Sequence, residues 1–233
     1  MENGIAELTR DESAGRICVF CGSKYGFRPV YADLARAVGR LIAERGFDLV
    51  YGGSREGLMG VLADEVLAAR GKVIGVYPRL LQTSEPAHTG LTELVLVDSL
   101  QERKSKMNEL ANAFIALPGG MGTLDELSEV VAWSMLGVHR KPMGVVDSTG
   151  YFRPLFAQFD RMVDEGFLSQ AHRALLRLDD KPDLLLDWLF ETHQASKTRG
   201  SLKSETNQAA IGPNKPPRQL RVPTVSAQPI DSP

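Results

Sequence analysis

The sequence predicts an α/β fold, an open parallel sheet with helices on both faces, and three observations predict it. Short apolar runs alternate with helical patterns from Arg16 to about Asp147. The runs recur at intervals of roughly twenty to thirty residues, long enough for a right-handed crossover helix between neighbours. Glycine-rich turns stand at strand ends, where such sheets bind their ligands. The class is Rossmann-like.

Each element follows in order. RICVFCG (16–22) is a continuous apolar run of the kind that a strand covered on both faces needs, and PVYADLARAVGRLIAERG (29–46) is the first helix. FDLVYGG (47–53) and EGLMGVLADEVLAARG (56–71) repeat the pair; KVIGVYP (72–78) is a strand that leads into a loop. LVLVDS (94–99), the helix ERKSKMNELAN (102–112), the strand AFIALPGG (113–120), the helix TLDELSEVVAWSMLG (123–137) and the strand PMGVVD (142–147) complete the alternation. RPLFAQFDRMVDEGFL (153–168) and KPDLLLDWLFETH (181–193) read as terminal helices, and Phe152, Phe156, Phe159, Met162 and Phe167 form a stripe that suits a core or a dimer face.

Composition limits the organisation and the partners. With 233 residues, 43% hydrophobic and 24% charged, the chain fits one substantial domain, assigned to 15–193. Residues 1–14 read as a flexible N-terminus. From 194 to 233 prolines punctuate polar residues, and too little apolar surface exists to offset ordering entropy, so a disordered Pro-rich tail is expected. A formal charge of −2 gives no general attraction to nucleic acid or anionic membrane, and no apolar run approaches a membrane span. MENGIAELTRDES has neither the basic start nor the apolar stretch of a signal peptide, so cytoplasm is the expected compartment. Cys18 and Cys21 have C-x-x-C spacing but lie in a strand, where positions three apart face opposite ways. No second Cys or His pair completes a zinc set, and two buried reduced thiols are expected.

The chemistry concentrates in AFIALPGGMGTLDE (113–126). A strand ends in a Pro-Gly-Gly turn and a helix opens at Thr123, so exposed backbone N–H groups and the positive end of a helix dipole favour a phosphate. Gly120, Gly122 and Thr123 are the expected donors, with Gly119, Met121, Leu124 and Asp125 around them. Thr123-Leu124-Asp125-Glu126 also fits a capping box, so Glu126 has both a structural and a chemical reading. Cys21-Gly22-Ser23 and Gly52-Gly53-Ser54 bring two more turns to the same rim, and Ser23, Gly53 and Ser54 join the candidate pocket. Neither standard nucleotide fingerprint is present: Gly120-x-Gly122-x-x-Asp125 lacks its third glycine, and Leu58 stands where a P-loop has lysine. NAD and ATP chemistry are disfavoured, and neither a cofactor nor a metal is expected.

Several ordered blocks together resemble one family. ERKxxM (Glu102 to Met107), PGGxGTxxE (Pro118 to Glu126), WSMLGVHRKPMG (133–144), CGS (21–23), YGGSREGLMG (51–60) and EPAHTGLTEL (85–94) are similar to the LONELY GUY family of cytokinin-activating enzymes, often labelled lysine decarboxylases. The likeness covers Arg16 to Leu178. It implies a phosphoribohydrolase, often a homodimer, that splits a nucleoside 5′-monophosphate into free base and ribose 5-phosphate. It implies Arg103 and Glu126 as catalytic, and Glu85 and Lys104 as substrate-binding. Bond cleavage moves positive charge onto the ribose ring, which an anion such as Glu126 stabilises. Arginine keeps its proton, so Arg103 suits binding and orientation better than acid catalysis. The chain departs from the family at Met121, Asp125 and Leu100-Gln101. His88 and His139 read as structural. A broader purine or AMP nucleosidase and a non-catalytic carrier of a nucleotide or cofactor remain the alternatives.

Overall fold

The computed structural model of the chain describes residues 13–81 and 86–195. Its strands are β1 (Arg16–Phe20), β2 (Asp48–Tyr51), β3 (Val73–Pro78), β4 (Glu93–Val97), β5 (Ala113–Ala116), β6 (Met143–Val146) and β7 (Leu176–Asp179). Its helices are α1 (Val30–Glu44), α2 (Gly57–Ala68), α3 (Leu100–Leu110), α4 (Met121–Met135), α5 (Arg153–Asp164) and the short α6 (Gln170–Arg173), with a last helix, α7, that includes residues 182–195. The strands form one parallel sheet in the order β4-β3-β2-β1-β5-β6-β7. The order reverses between β1 and β5, which makes that seam the switch point at which such sheets open a ligand crevice.

Strand alternation divides the core into two layers. Ile17, Val19 and Cys21 of the first strand segment join Ile115 and Leu117 on the face covered by α1, α2 and α7, while Cys18 and Phe20 join Phe114 and Ala116 on the face covered by α3, α4 and α5. Val38 and Ile42 of α1, Leu62 and Val66 of α2 and Leu185 and Leu189 of α7 are fully buried in the first layer. Met107, Leu127, Val130 and Phe156 fill the second. At roughly 25 cal/mol per Å² of apolar surface removed from water, these layers supply the main drive for folding. Cys18 and Cys21 are free and buried on opposite faces, as their spacing predicts, and burial raises both thiol pKa values, with Glu126 adding to the effect.

Three elements differ from the sequence reading, two of them for a visible physical cause. β7 extends the sheet beyond the six expected strands: LRLD is short and carries charge, yet Leu176 is buried and Arg177 spends its charge on Asp179 at 2.6 Å and on the Trp188 face at 5.2 Å. The helix expected from Thr123 opens at Met121, with Gly120 as its N-cap, because Thr123 is buried against the Gly119 turn. α7 runs through residue 195, two beyond the expected helix end. The expectations for 1–12, for Glu85 and for 196–233 lie outside the described residues.

Candidate active site

α3 crosses beneath β3, β2 and β1 from the edge of the sheet to its centre, and its start is tightly fixed. Ser99 caps it by accepting the Glu102 N–H at 3.0 Å, and the Glu102 carboxylate accepts the Asp98 N–H at 2.8 Å. An S-x-x-E cap of the kind expected at Thr123 thus stands at Ser99, one helix earlier, with Glu102 reaching back one residue beyond the cap. The next residue is Arg103. Its Nε donates to the Val76 carbonyl at 3.2 Å, and Nη1 lies 3.4 Å from Glu126 Oε1, with both side chains almost wholly buried. Glu126 is therefore free of any capping duty. Burial pushes its pKa up, and the nearby Arg103 guanidinium offsets only part of that rise.

The pair stands at the floor of a cavity of about 550 Å³ at the carboxyl ends of β1, β2, β3 and β5. The 21–26 turn forms one wall, Gly52, Met59 and Tyr77 another, and Pro118 to Thr123 a third. The first N–H groups of α4 have no carbonyl a turn earlier to bond, so they are available to an anion in that third wall. A side chain at Gly120 or Gly122 would meet nothing within 4 Å, so packing does not demand glycine there; its absence leaves the approach to those N–H groups clear. Gly119 differs, since a Cβ there would strike the Thr123 hydroxyl and lie 2.8 Å from the Gly22 nitrogen. Gly22 N–H in turn donates to the Pro118 carbonyl at 3.1 Å, which welds the β1 and β5 turns together.

The sequence-derived candidates separate. Ser23, Arg103, Gly119, Gly120, Met121, Gly122, Thr123 and Glu126 line the cavity together. Gly53 and Ser54 lie behind the rim: Gly53 turns with φ +80° against Tyr77, and buried Ser54 accepts the Glu56 N–H at 3.1 Å. Leu124 packs into the core. Lys104 points away, bonding Asp125 at 3.0 Å and Glu129 at 3.1 Å; burial lowers its pKa, but the two carboxylates outweigh that and hold it above the ordinary value. His88 has a partner that sequence did not reveal, since Nε2 lies 3.0 Å from Asp64 while Nδ1 accepts the Gly90 N–H. His139 donates from Nε2 to the Val130 carbonyl at 2.9 Å, and burial lowers its pKa.

Sequence reasoning missed the aromatic wall. Four of the chain's five tyrosines, Tyr25, Tyr31, Tyr77 and Tyr151, line the cavity, enough to stack a planar base. They come from a loop, a helix, a strand and another loop, so no local spacing could announce them. The Tyr151 hydroxyl donates to the Gly119 carbonyl at 2.5 Å, and its ring meets Tyr31 edge-on at 5.9 Å.

Comparison with known proteins identifies the family. A family model described as possible lysine decarboxylase matches residues 59–189. A probable cytokinin riboside 5′-monophosphate phosphoribohydrolase from Oryza sativa subsp. japonica is 40% identical over 200 residues, 85% of this chain and 82% of its own. A cytokinin riboside 5′-monophosphate phosphoribohydrolase from Arabidopsis thaliana is 45% identical over 161 residues, 69% of this chain and 74% of its own. Among solved structures, the molybdenum cofactor carrier protein of Chlamydomonas reinhardtii superposes with TM-score 0.58 at 18% identity, over 76% of this chain and 96% of its own, which shows a shared fold. The ordered motifs, the extent of the family match and these identities together show that the chain belongs to the LONELY GUY family of cytokinin riboside 5′-monophosphate phosphoribohydrolases.

Proposed function

We propose that this chain hydrolyses the N-glycosidic bond of N6-modified adenosine 5′-monophosphates, releasing the free base and ribose 5-phosphate. The observation that carries the reading is the buried Arg103–Glu126 pair at 3.4 Å, set on the cavity floor beside the open N-terminus of α4. In this reading the phosphate takes the N–H groups of Gly120, Gly122 and Thr123, with Ser23 and Met121 flanking it. The base lies among the tyrosines. Glu126, as carboxylate, stabilises the oxocarbenium-like ribose and orients the attacking water, while Arg103 binds substrate and fixes Glu126. Lys104 and Asp125 serve indirectly, through the hold of α3 on α4.

The same reading makes the active unit a homodimer, supported by Leu136 and Val138, which are 78% and 65% exposed at the end of α4. No helix among the described residues is long and apolar enough to cross a membrane. The two free thiols suit a reducing compartment, and we place the enzyme in the cytoplasm.

Incubation with AMP and with isopentenyl-AMP, followed by chromatography of the released base, tests the reading. Preferred release of isopentenyladenine is expected. Equal turnover of both would make this a broader nucleosidase, and binding of either nucleotide with no base released would make it a carrier.

A further inference from the structure

Gly52 follows β2 on the cavity rim, and its φ lies outside the left-handed region, so its conformation does not require glycine. What a side chain would meet is Arg103. A Cβ at position 52 would overlap Nη2 outright and lie 3.0 Å from both Cζ and the Met59 sulfur. These are tips of flexible side chains. At Gly57, by contrast, a Cβ would strike the backbone of Ser23 and Lys24, so substitution there must move main chain. A side chain at 52 needs to evict a guanidinium and ease back one methionine sulfur.

We propose that Gly52 is a positioning residue, whose missing side chain is the slot that admits the Arg103 guanidinium between the ends of β2 and β3 and holds it against Glu126. The guanidinium is a rigid planar fork. Nε is tied to the Val76 carbonyl of β3, Nη2 rests over Gly52 after β2, and Nη1 faces Glu126 of α4. Displacing one arm therefore displaces the others, and a misplacement on the order of 1 Å in a catalytic constellation costs about a hundredfold in rate. The proposal rests on the role given to Arg103 above.

Glu126 supplies a second readout. It is faced by Arg103 and Lys104 from α3 and by Asp125 and Glu129 from its own helix, with the neutral thiols of Cys18 and Cys21 on the strand side. Arg103 is the largest charge that opposes the burial-driven rise of the Glu126 pKa. Withdrawing it should carry the acid limb of kcat/KM to higher pH.

The test uses the full chain with Gly52→Ala, Arg103→Ala and the double variant, assayed on isopentenyl-AMP. Gly52→Ala should fold, lose about a hundredfold in kcat/KM and shift its acid limb upward. Its crystal structure should show the guanidinium withdrawn from Glu126. A crystal structure of Gly52→Ala that keeps Nη1 within about 3.4 Å of Glu126 overturns the proposal, as does parental turnover by this variant when Arg103→Ala is inactive. Should Gly52→Ala fail to fold, the double variant decides, since Arg103→Ala vacates the space: a folded double variant supports the slot and an unfolded one overturns it. Parental turnover by Arg103→Ala would instead refute the role of Arg103, and the position of the guanidinium in the Gly52→Ala crystal would still decide the slot.

Discussion

A carboxylate held above its ordinary pKa by burial is less stable charged in the fold than in the unfolded chain, and Glu126 is such a group. Its linkage contribution is fully present below the unfolded pKa and is lost as pH rises through the raised folded one. At neutral pH its charge therefore costs stability. Glu126→Gln removes that charge, so at pH 7 it should melt no lower than the parent while base release falls about a hundredfold or more. The difference in melting should vanish as pH drops and the parent takes up its proton. Turnover by the parent should fail on acidification at a pH above that of an unperturbed glutamate, since the proposed mechanism uses the carboxylate. Parental turnover in Glu126→Gln would remove Glu126 from the mechanism.

Two contacts join elements around the site. Lys104 ties α3 to α4 through Asp125 and Glu129, which stand four residues apart on one helical face and repel without it. Lys104→Met should cost about 1 kcal/mol of stability in thermal unfolding and leave KM nearly unchanged; a tenfold rise in KM at parental stability would mean that Lys104 reaches substrate. Tyr151 clasps the Gly119 turn. Tyr151→Phe keeps the ring but frees the carbonyl, so KM should rise severalfold with kcat close to parental, and equal kinetics would show the ring alone to matter. The strands from Arg16 to Asp147 were legible because each carries a short apolar run between punctuating turns. β7 was not, because Arg177 and Asp179 neutralise each other within four residues. The start of α4 was misread because Thr123-x-x-Glu126 has the capping spacing, while burial of Thr123 is a tertiary fact.

At the scale of the molecule, the expected dimer is checked by sedimentation at micromolar concentration. A homodimer that Leu136→Glu with Val138→Glu converts to monomer is the expected result, and a fully active monomer would refute the assembly. The site was legible to the extent that its residues are close in sequence: Arg103, the 118–123 turn and Glu126 fall within one helix-strand-helix unit. Met59, Tyr31, Tyr77 and Tyr151 were illegible because they belong to separate elements, the first three on one side of the β1–β5 seam and Tyr151 on the other, and only the assembled sheet gathers them.

The β1 and β5 turns meet backbone to backbone through Gly22, Pro118 and Gly119, with Gly57 pressed on Ser23 and Lys24 beside them. Turns joined main chain to main chain offer substitution little to tune. Variation in substrate choice, natural or engineered, enters most easily at the mouth, where Tyr25 and Met121 are 57% and 80% exposed and carry little packing. A library confined to those two positions should yield folded variants with altered substrate choice, whereas one placed at Gly57 and Gly119, where a Cβ would strike main chain, should yield mostly unfolded chains.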